Sequence, residues 1–272
     1  MKYYVVDVFT DSLFGGNPAG VCLPGGWPPD AVMQNIAAEN NLSETAFLVK
    51  RGGYYDLRWF TPSLEVSLCG HATMAGASVL FEEVETSAEK LDFKTLSGTL
   101  SVIRKNGLYY LDFPARNVVP RPAYPVIEKA LGVKPLAVYY GLDFLVTVKD
   151  ENVLRGIEPD FEALKGLKAE AGTGTDDFGV IVTAAGGDCD FVSRFFGPNV
   201  GVNEDPVTGR AHCSLIPFWG GRLGKRVMFG KQVSKRGGSL YCEYDGENQP
   251  GGGRVKIGGK TVRYLNGEIL LP

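Results

Sequence analysis

Hydrophobic positions along this chain gather into short strand-like runs, with two stretches that are small or apolar nearly all round. Residues 3–9, Tyr3-Tyr4-Val5-Val6-Asp7-Val8-Phe9, are rich in β-branched and aromatic side chains and predict a strand that Gly15-Gly16-Asn17-Pro18 breaks. Residues 19–23 predict a second strand. Residues 30–40 carry Val32, Ile36 and Ala37 at helical spacing, begin after Pro28-Pro29 and end at Asn40-Asn41, which suits a C-terminal cap. Strands resume over residues 45–50 and 54–60. Residues 70–82, Gly-His-Ala-Thr-Met-Ala-Gly-Ala-Ser-Val-Leu-Phe-Glu, predict a helix surrounded by protein, because no face of it is polar. Strands at 91–93, 98–104 and 108–113 follow, the last two joined by the turn Lys105-Asn106-Gly107.

Residues 114–125 contain four prolines and little periodicity and are the best linker candidate. A similar inventory then repeats. A short helix near 126–131, strands near 136–140 and 144–149, a helix near 158–169, and strands at 180–183 and 190–196 lead to a second buried-looking helix starting near Thr208. Pro217 lies well inside that helix and predicts a kink or an end there. The tail predicts strands around 231–234, 240–244, 254–257, 261–264 and 268–271. Its glycine runs, Gly251-Gly252-Gly253 and Gly258-Gly259, punctuate hairpins, since no helix follows either to cradle a phosphate.

Composition narrows the function classes. A chain of 272 residues, 44% hydrophobic, can bury one large core or two ordinary ones, and the repeated inventory favours two. A net charge of -3 argues against a nucleic-acid partner. Asp7 interrupts the opening where an export signal needs an unbroken apolar region, and no stretch is long enough to span a bilayer, so a cytoplasmic protein without membrane contact is expected. The five cysteines are scattered, with no Cys-x-x-Cys pair, which predicts reduced thiols and no structural metal.

Both histidines of the chain fall in similar phrases, Cys69-Gly70-His71-Ala72-Thr73 and Thr208-Gly209-Arg210-Ala211-His212. Two glycine-led helix starts half a chain apart predict a two-lobed enzyme with its active site between the lobes. Unpaired amides after Gly70 and Gly209 suit a carboxylate, and glycine lets a ligand come close. Equally, Cys69 and His71 read as buried residues of a tight strand-to-helix turn. Glu44 stands at the front of an apolar strand, where burial would raise its pKa toward a value useful for moving protons. The alternative is a capping box with Asn41 as cap. Asp205-Pro206 reads as a helix N-cap followed by the first helical residue, although the preceding loop and two acids also suit a site. His212 reads as a packed helix residue, and no Ser/His/Asp order, nucleophile elbow or nucleotide fingerprint is present.

Several motifs then combine. Asp7-Val8-Phe9 with Gly16-Asn17-Pro18-Ala19, Asn41-Leu42-Ser43-Glu44-Thr45-Ala46-Phe47, Leu57-Arg58-Trp59-Phe60-Thr61-Pro62 with Glu65-Val66, Leu68-Cys69-Gly70-His71-Ala72-Thr73, and Glu204-Asp205-Pro206-Val207-Thr208-Gly209 resemble, in order and spacing, the PhzF family of phenazine-biosynthesis-like isomerases. The resemblance implies an α+β fold like that of diaminopimelate epimerase, with two pseudo-symmetric lobes, each a β-barrel-like sheet wrapped around a central helix. Residues 1–115 would form the N-terminal lobe, with 261–272 returning to it, and 116–260 the C-terminal lobe. It also implies a homodimer and a cofactor-independent isomerase, with Glu44 moving a proton between carbons of a small unsaturated or cyclic carboxylic acid and His71 and Asp205 assisting. Asn17, Gly70, Ala72, Gly209 and Arg210 are then the candidates for substrate binding, with no metal. The chain departs from the family at Arg210, where a serine is usual; a guanidinium there could hold a second carboxylate or a phosphate, or fill the pocket. Two rival readings remain. One is a racemase or epimerase of small amino or hydroxy acids using two facing cysteines, for which Cys69 has only Thr208 or the displaced Cys213 as counterpart. The other is a binding protein that kept the fold and lost catalysis.

Overall fold

The structure, a computed structural model, describes residues 1–122, 124–167, 178–246 and 253–271. It comprises two compact units, one of residues 1–112 with 256–272 and one of residues 113–255.

The first unit contains β1 (Lys2–Val8), β2 (Asn17–Leu23), α1 (Asp30–Asn40), β3 (Glu44–Arg51), β4 (Tyr54–Phe60), the short β5 (Glu65–Val66), α2 (Gly70–Glu83), β6 (Lys90–Thr95), β7 (Gly98–Lys105) and β8 (Leu108–Pro114), whose last two residues belong to the second unit. β1 runs antiparallel to β2, β2 parallel to β3, and β3 antiparallel to β4. β4 pairs with β6 in parallel, and β6, β7 and β8 complete an antiparallel meander. The β7–β8 turn has Asn106 at φ 52° and Gly107 at φ 73°, the left-handed pair that a tight two-residue hairpin requires. Every residue of α2 from His71 to Phe81 is buried, and the helix packs on β1, β2, β3 and β7. The all-round small and apolar pattern thus has its physical cause: the sheet encloses the helix, and no face of it reaches water between His71 and Glu82. Gly76 marks the closest approach, since a Cβ there would lie 3.0 Å from the Leu48 side chain of β3.

The second unit contains β9 (Val119–Arg121), α3 (Pro125–Leu131), β10 (Ala137–Tyr140), β11 (Phe144–Thr147), α4 (Glu151–Arg155), α5 (Phe161–Lys165), β12 (Val180–Ala185), β13 (Phe191–Gly197), β14 (Val202–Asp205), α6 (Gly209–Leu223), β15 (Val227–Gln232), β16 (Gly238–Asp245) and β17 (Arg254–Gly259), whose last residues belong to the first unit. β18 (Thr261–Glu268) then pairs antiparallel with β1. β11 and β12 are parallel, β13 pairs antiparallel with β12 and parallel with β15, and β16 returns on β15. α6 packs on β15 and β16 with Ala211 through Ile216 buried.

Some expectations change. The proline-rich 114–125 segment contributes the strand β9, paired with β10. In place of a helix over 158–169 there is the five-residue α5, and residues 168 and 169 lie outside the described residues. α5 and the unexpected α4 are too short to show a period; each starts at an aspartate, Asp160 or Asp150, whose carboxylate caps an amide. No strand covers 269–271. α6 neither ends nor breaks at Pro217. Proline cannot donate to the Cys213 carbonyl four residues back, and the Arg116 amide donates to that carbonyl instead, at 2.8 Å. Among the described residues no helix is long and apolar enough to cross a membrane.

Candidate active site

In the first unit Glu44 opens β3, just after Asn41 closes α1 in the left-handed conformation and donates its amide to the Ala37 carbonyl. Asn41 therefore ends a helix, a strand follows, and the capping-box alternative for Glu44 falls away. The Glu44 side chain keeps 20% of its surface exposed, and its Oε2 lies 3.2 Å from Nε2 of His71. His71, in the first turn of α2, is buried, with its Nδ1 3.6 Å from the Cys69 sulfur. Burial pushes its imidazole down to about 4, against a smaller opposing effect of a hydrogen bond to the Pro18 backbone. The Glu44 contact at neutral pH is therefore that of a carboxyl group with an uncharged imidazole, not a salt bridge.

Cys69 is the extended residue before α2, and its carbonyl accepts both the amide of Thr73, at 3.3 Å, and its hydroxyl, at 2.5 Å. The amides of Gly70, His71 and Ala72 form the first turn, where helix geometry and dipole favour an anion. Asn17 begins β2 fully buried, its side-chain oxygen 3.4 Å from the Ser43 hydroxyl beside Glu44. It is delivered there by Gly16 at φ 61°, where a Cβ would lie 2.0 Å from the Val8 carbonyl oxygen.

In the second unit Asp205 ends β14, and α6 starts only at Gly209 with Thr208 as the preceding residue. Asp205 is thus not the helix cap. Its carboxylate accepts the Thr208 hydroxyl at 2.5 Å. Gln232, buried on β15, fixes this turn: its Oε1 accepts the Thr208 amide at 2.9 Å and its Nε2 donates to the Asp205 carbonyl at 2.7 Å. Gln232→Leu removes both partners of a buried turn and is expected to lower stability by about 2 kcal/mol. An unchanged denaturation midpoint would contradict that role. Among the described residues, apart from its chain neighbours and its own helix, nothing lies within 4 Å of where a Gly209 Cβ would stand, so there is room beside the first turn of α6.

Arg210 does not extend as a lone cation. Its Nε and Nη2 donate to the two oxygens of Asp143, at 3.1 and 3.0 Å. The Asp143 side chain is fully buried and also accepts the Gly179 amide at 2.8 Å, whereas Arg210 remains a third exposed. Neither Asp143 nor Gln232 is legible as a partner in sequence, because each lies far from the helix start it serves and shares no motif with it. Arg58 and Glu65, part of the motif set, form a bidentate pair between β4 and β5, with 2.7 Å for each bond.

His212 lies deep in α6 with Nδ1 2.8 Å from the Thr208 carbonyl, a contact that puts the ring proton on Nδ1 because a carbonyl only accepts. Burial lowers it also to about 4. With both histidines depressed from 6.5 to about 4, the unfolded chain binds two protons in that interval that the native chain does not. Stability present above pH 6.5 is therefore lost as pH falls toward 4, by about 2 kcal/mol per histidine near pH 5. Denaturant midpoints between pH 7 and 5 check this, and a flat profile would contradict it.

A family model described as phenazine biosynthesis-like protein, PhzC-PhzF, matches residues 6–267. The chain is 48% identical over 271 residues to an uncharacterized isomerase of Pseudomonas aeruginosa, covering 100% of this chain and 99% of that one. It is 38% identical over 302 residues to the human phenazine biosynthesis-like domain-containing protein, covering 99% of each. A crystal structure of a PhzF-family protein from Enterococcus faecalis matches with a TM-score of 0.92 at 49% identity, over 99% of each chain. A probable proline racemase of Agrobacterium radiobacter, 12% identical with a TM-score of 0.65 over 100% of this chain and 93% of its own, shares the fold alone. Sheets around buried helices, motifs in order and full-length likeness agree: the chain belongs to the PhzC-PhzF family of phenazine biosynthesis-like proteins.

Proposed function

We propose that this protein is a cofactor-independent isomerase that moves a proton between two carbons of a small unsaturated or cyclic carboxylic acid. The observation that carries the reading is the contact of a partly exposed carboxyl group, Glu44, with a buried neutral imidazole, His71, at 3.2 Å in the first turn of α2. Glu44 takes the proton from one carbon as general base and returns it to the other as general acid. His71 holds the carboxyl group in place without adding a charge that would keep it permanently ionised. Amides after Gly70 suit the substrate carboxylate in the first unit, and in the second unit those after Gly209 offer the same kind of anion-binding group beside Asp205, whose turn is stiffened by Thr208 and Gln232. Asn17 supports the Glu44 side through Ser43, and in the second unit Asp143 sets the reach of the Arg210 fork. The names of relatives as isomerases favour the same class.

The two-thiol racemase reading has less support. Burial pushes the Cys213 thiol up to about 12, and the Thr208 hydroxyl is committed to Asp205. Proton NMR of the protein with a panel of unsaturated, amino and hydroxy carboxylic acids tests the choice through product structure. A shifted double bond supports the isomerase. Inversion of one centre with no other change supports the racemase, and ligand line broadening without any product supports a binding protein.

A further inference from the structure

Glu44, Cys69 and His71 bring a carboxylate oxygen, a sulfur and an imidazole nitrogen within 4.8 Å of one another. β3 supplies the first and the entry into α2 the other two, so the cluster exists only in the folded chain. The 3.2 Å between His71 Nε2 and Glu44 Oε2 is the spacing of two donors that each sit about 2 Å from one tetrahedral ion. Nε2 faces Glu44 Oε2, while the ring is anchored to the Pro18 backbone, the kind of outer contact that aims a ligating histidine. A mixed sulfur, nitrogen and oxygen set selects zinc or cobalt over magnesium or calcium. Cys69 and His71 are buried, so an ion enters past the partly exposed Glu44.

We propose that Glu44, Cys69 and His71 form a binding site for a thiophilic divalent ion such as Zn²⁺, with water in the fourth position, and that its occupancy inhibits the protein. On binding, the Cys69 S–H bond breaks, its proton goes to solvent, and the sulfur lone pair forms the metal bond, with no electron transferred. Binding stands independently of the isomerase reading; inhibition rests on it, because the ion then occupies the place of the proton on Glu44.

Cobalt titration of the full chain tests the site. One equivalent of Co²⁺ is expected to produce a thiolate-to-cobalt charge-transfer band that Zn²⁺ abolishes by displacement. Cys69→Ser is expected to lose the band, and Glu44→Gln to keep it with affinity weakened more than about tenfold. No band in the unaltered protein, or the same band in Cys69→Ser, overturns the site. These readouts need no substrate, so a site that fills as expected in a protein that turns nothing over supports the binding claim while the isomerase reading fails. Turnover unchanged with the site filled by Zn²⁺ overturns the inhibitory role.

Discussion

Glu44→Gln is expected to lower kcat by roughly 10²–10⁴-fold, the range of a lost general acid/base, with the denaturation midpoint close to that of the unaltered protein. Glutamine matches the shape of glutamate and keeps an oxygen facing His71, but it neither accepts nor returns a proton. The side chain is one-fifth exposed and lies at a strand start, so the exchange opens no cavity in the core. A loss confined to KM would mean that Glu44 only binds substrate, since an interaction made in the transition state alone appears in kcat. Both parameters, read beside thermal unfolding, separate these outcomes.

Arg210→Ala carries the largest expected cost in stability, about 3–5 kcal/mol. It removes the bidentate partner of Asp143, whose side chain is wholly buried and also accepts the Gly179 amide. Breaking one side of a buried pair is costly because the surviving charge stays desolvated. Asp143→Asn combined with Arg210→Ala should therefore recover most of the loss, as the neutral amide needs no counter-charge. Urea midpoints of the two single variants and the double variant measure the coupling. Additive effects, with no recovery in the double variant, would contradict the pairing as a stabilising element.

How much of this was legible in the sequence follows from the range of each interaction. α2 declared itself because enclosure by a sheet demands small and apolar residues on every face, and a single window of sequence shows that. The β7–β8 hairpin was visible through Asn106-Gly107, whose left-handed angles are a local property. Glu44 and His71 were each conspicuous, one at the head of an apolar strand and one beside a glycine-led helix start. Their contact is a product of packing and no spacing announces it. The alternatives at Asn41 and Asp205 were settled only by where the helices begin and end, a matter of one turn. Pro217 predicts a break because its helix-breaking tendency is local, whereas the Arg116 amide that satisfies the freed carbonyl arrives from nearly a hundred residues earlier. The Asp143 and Gln232 partnerships were invisible for the same reason: a buried polar residue on a strand has no periodic signature until its partner is known.

The most direct test of the central claim is isotope exchange: the protein and its Glu44→Gln variant, each incubated in D2O with a carboxylic acid that the unaltered protein converts, followed by proton NMR. The account predicts deuterium at the carbon that receives the proton with the unaltered protein and none above background with Glu44→Gln. Equal incorporation by both would show that another group carries the proton and would contradict the assignment of Glu44.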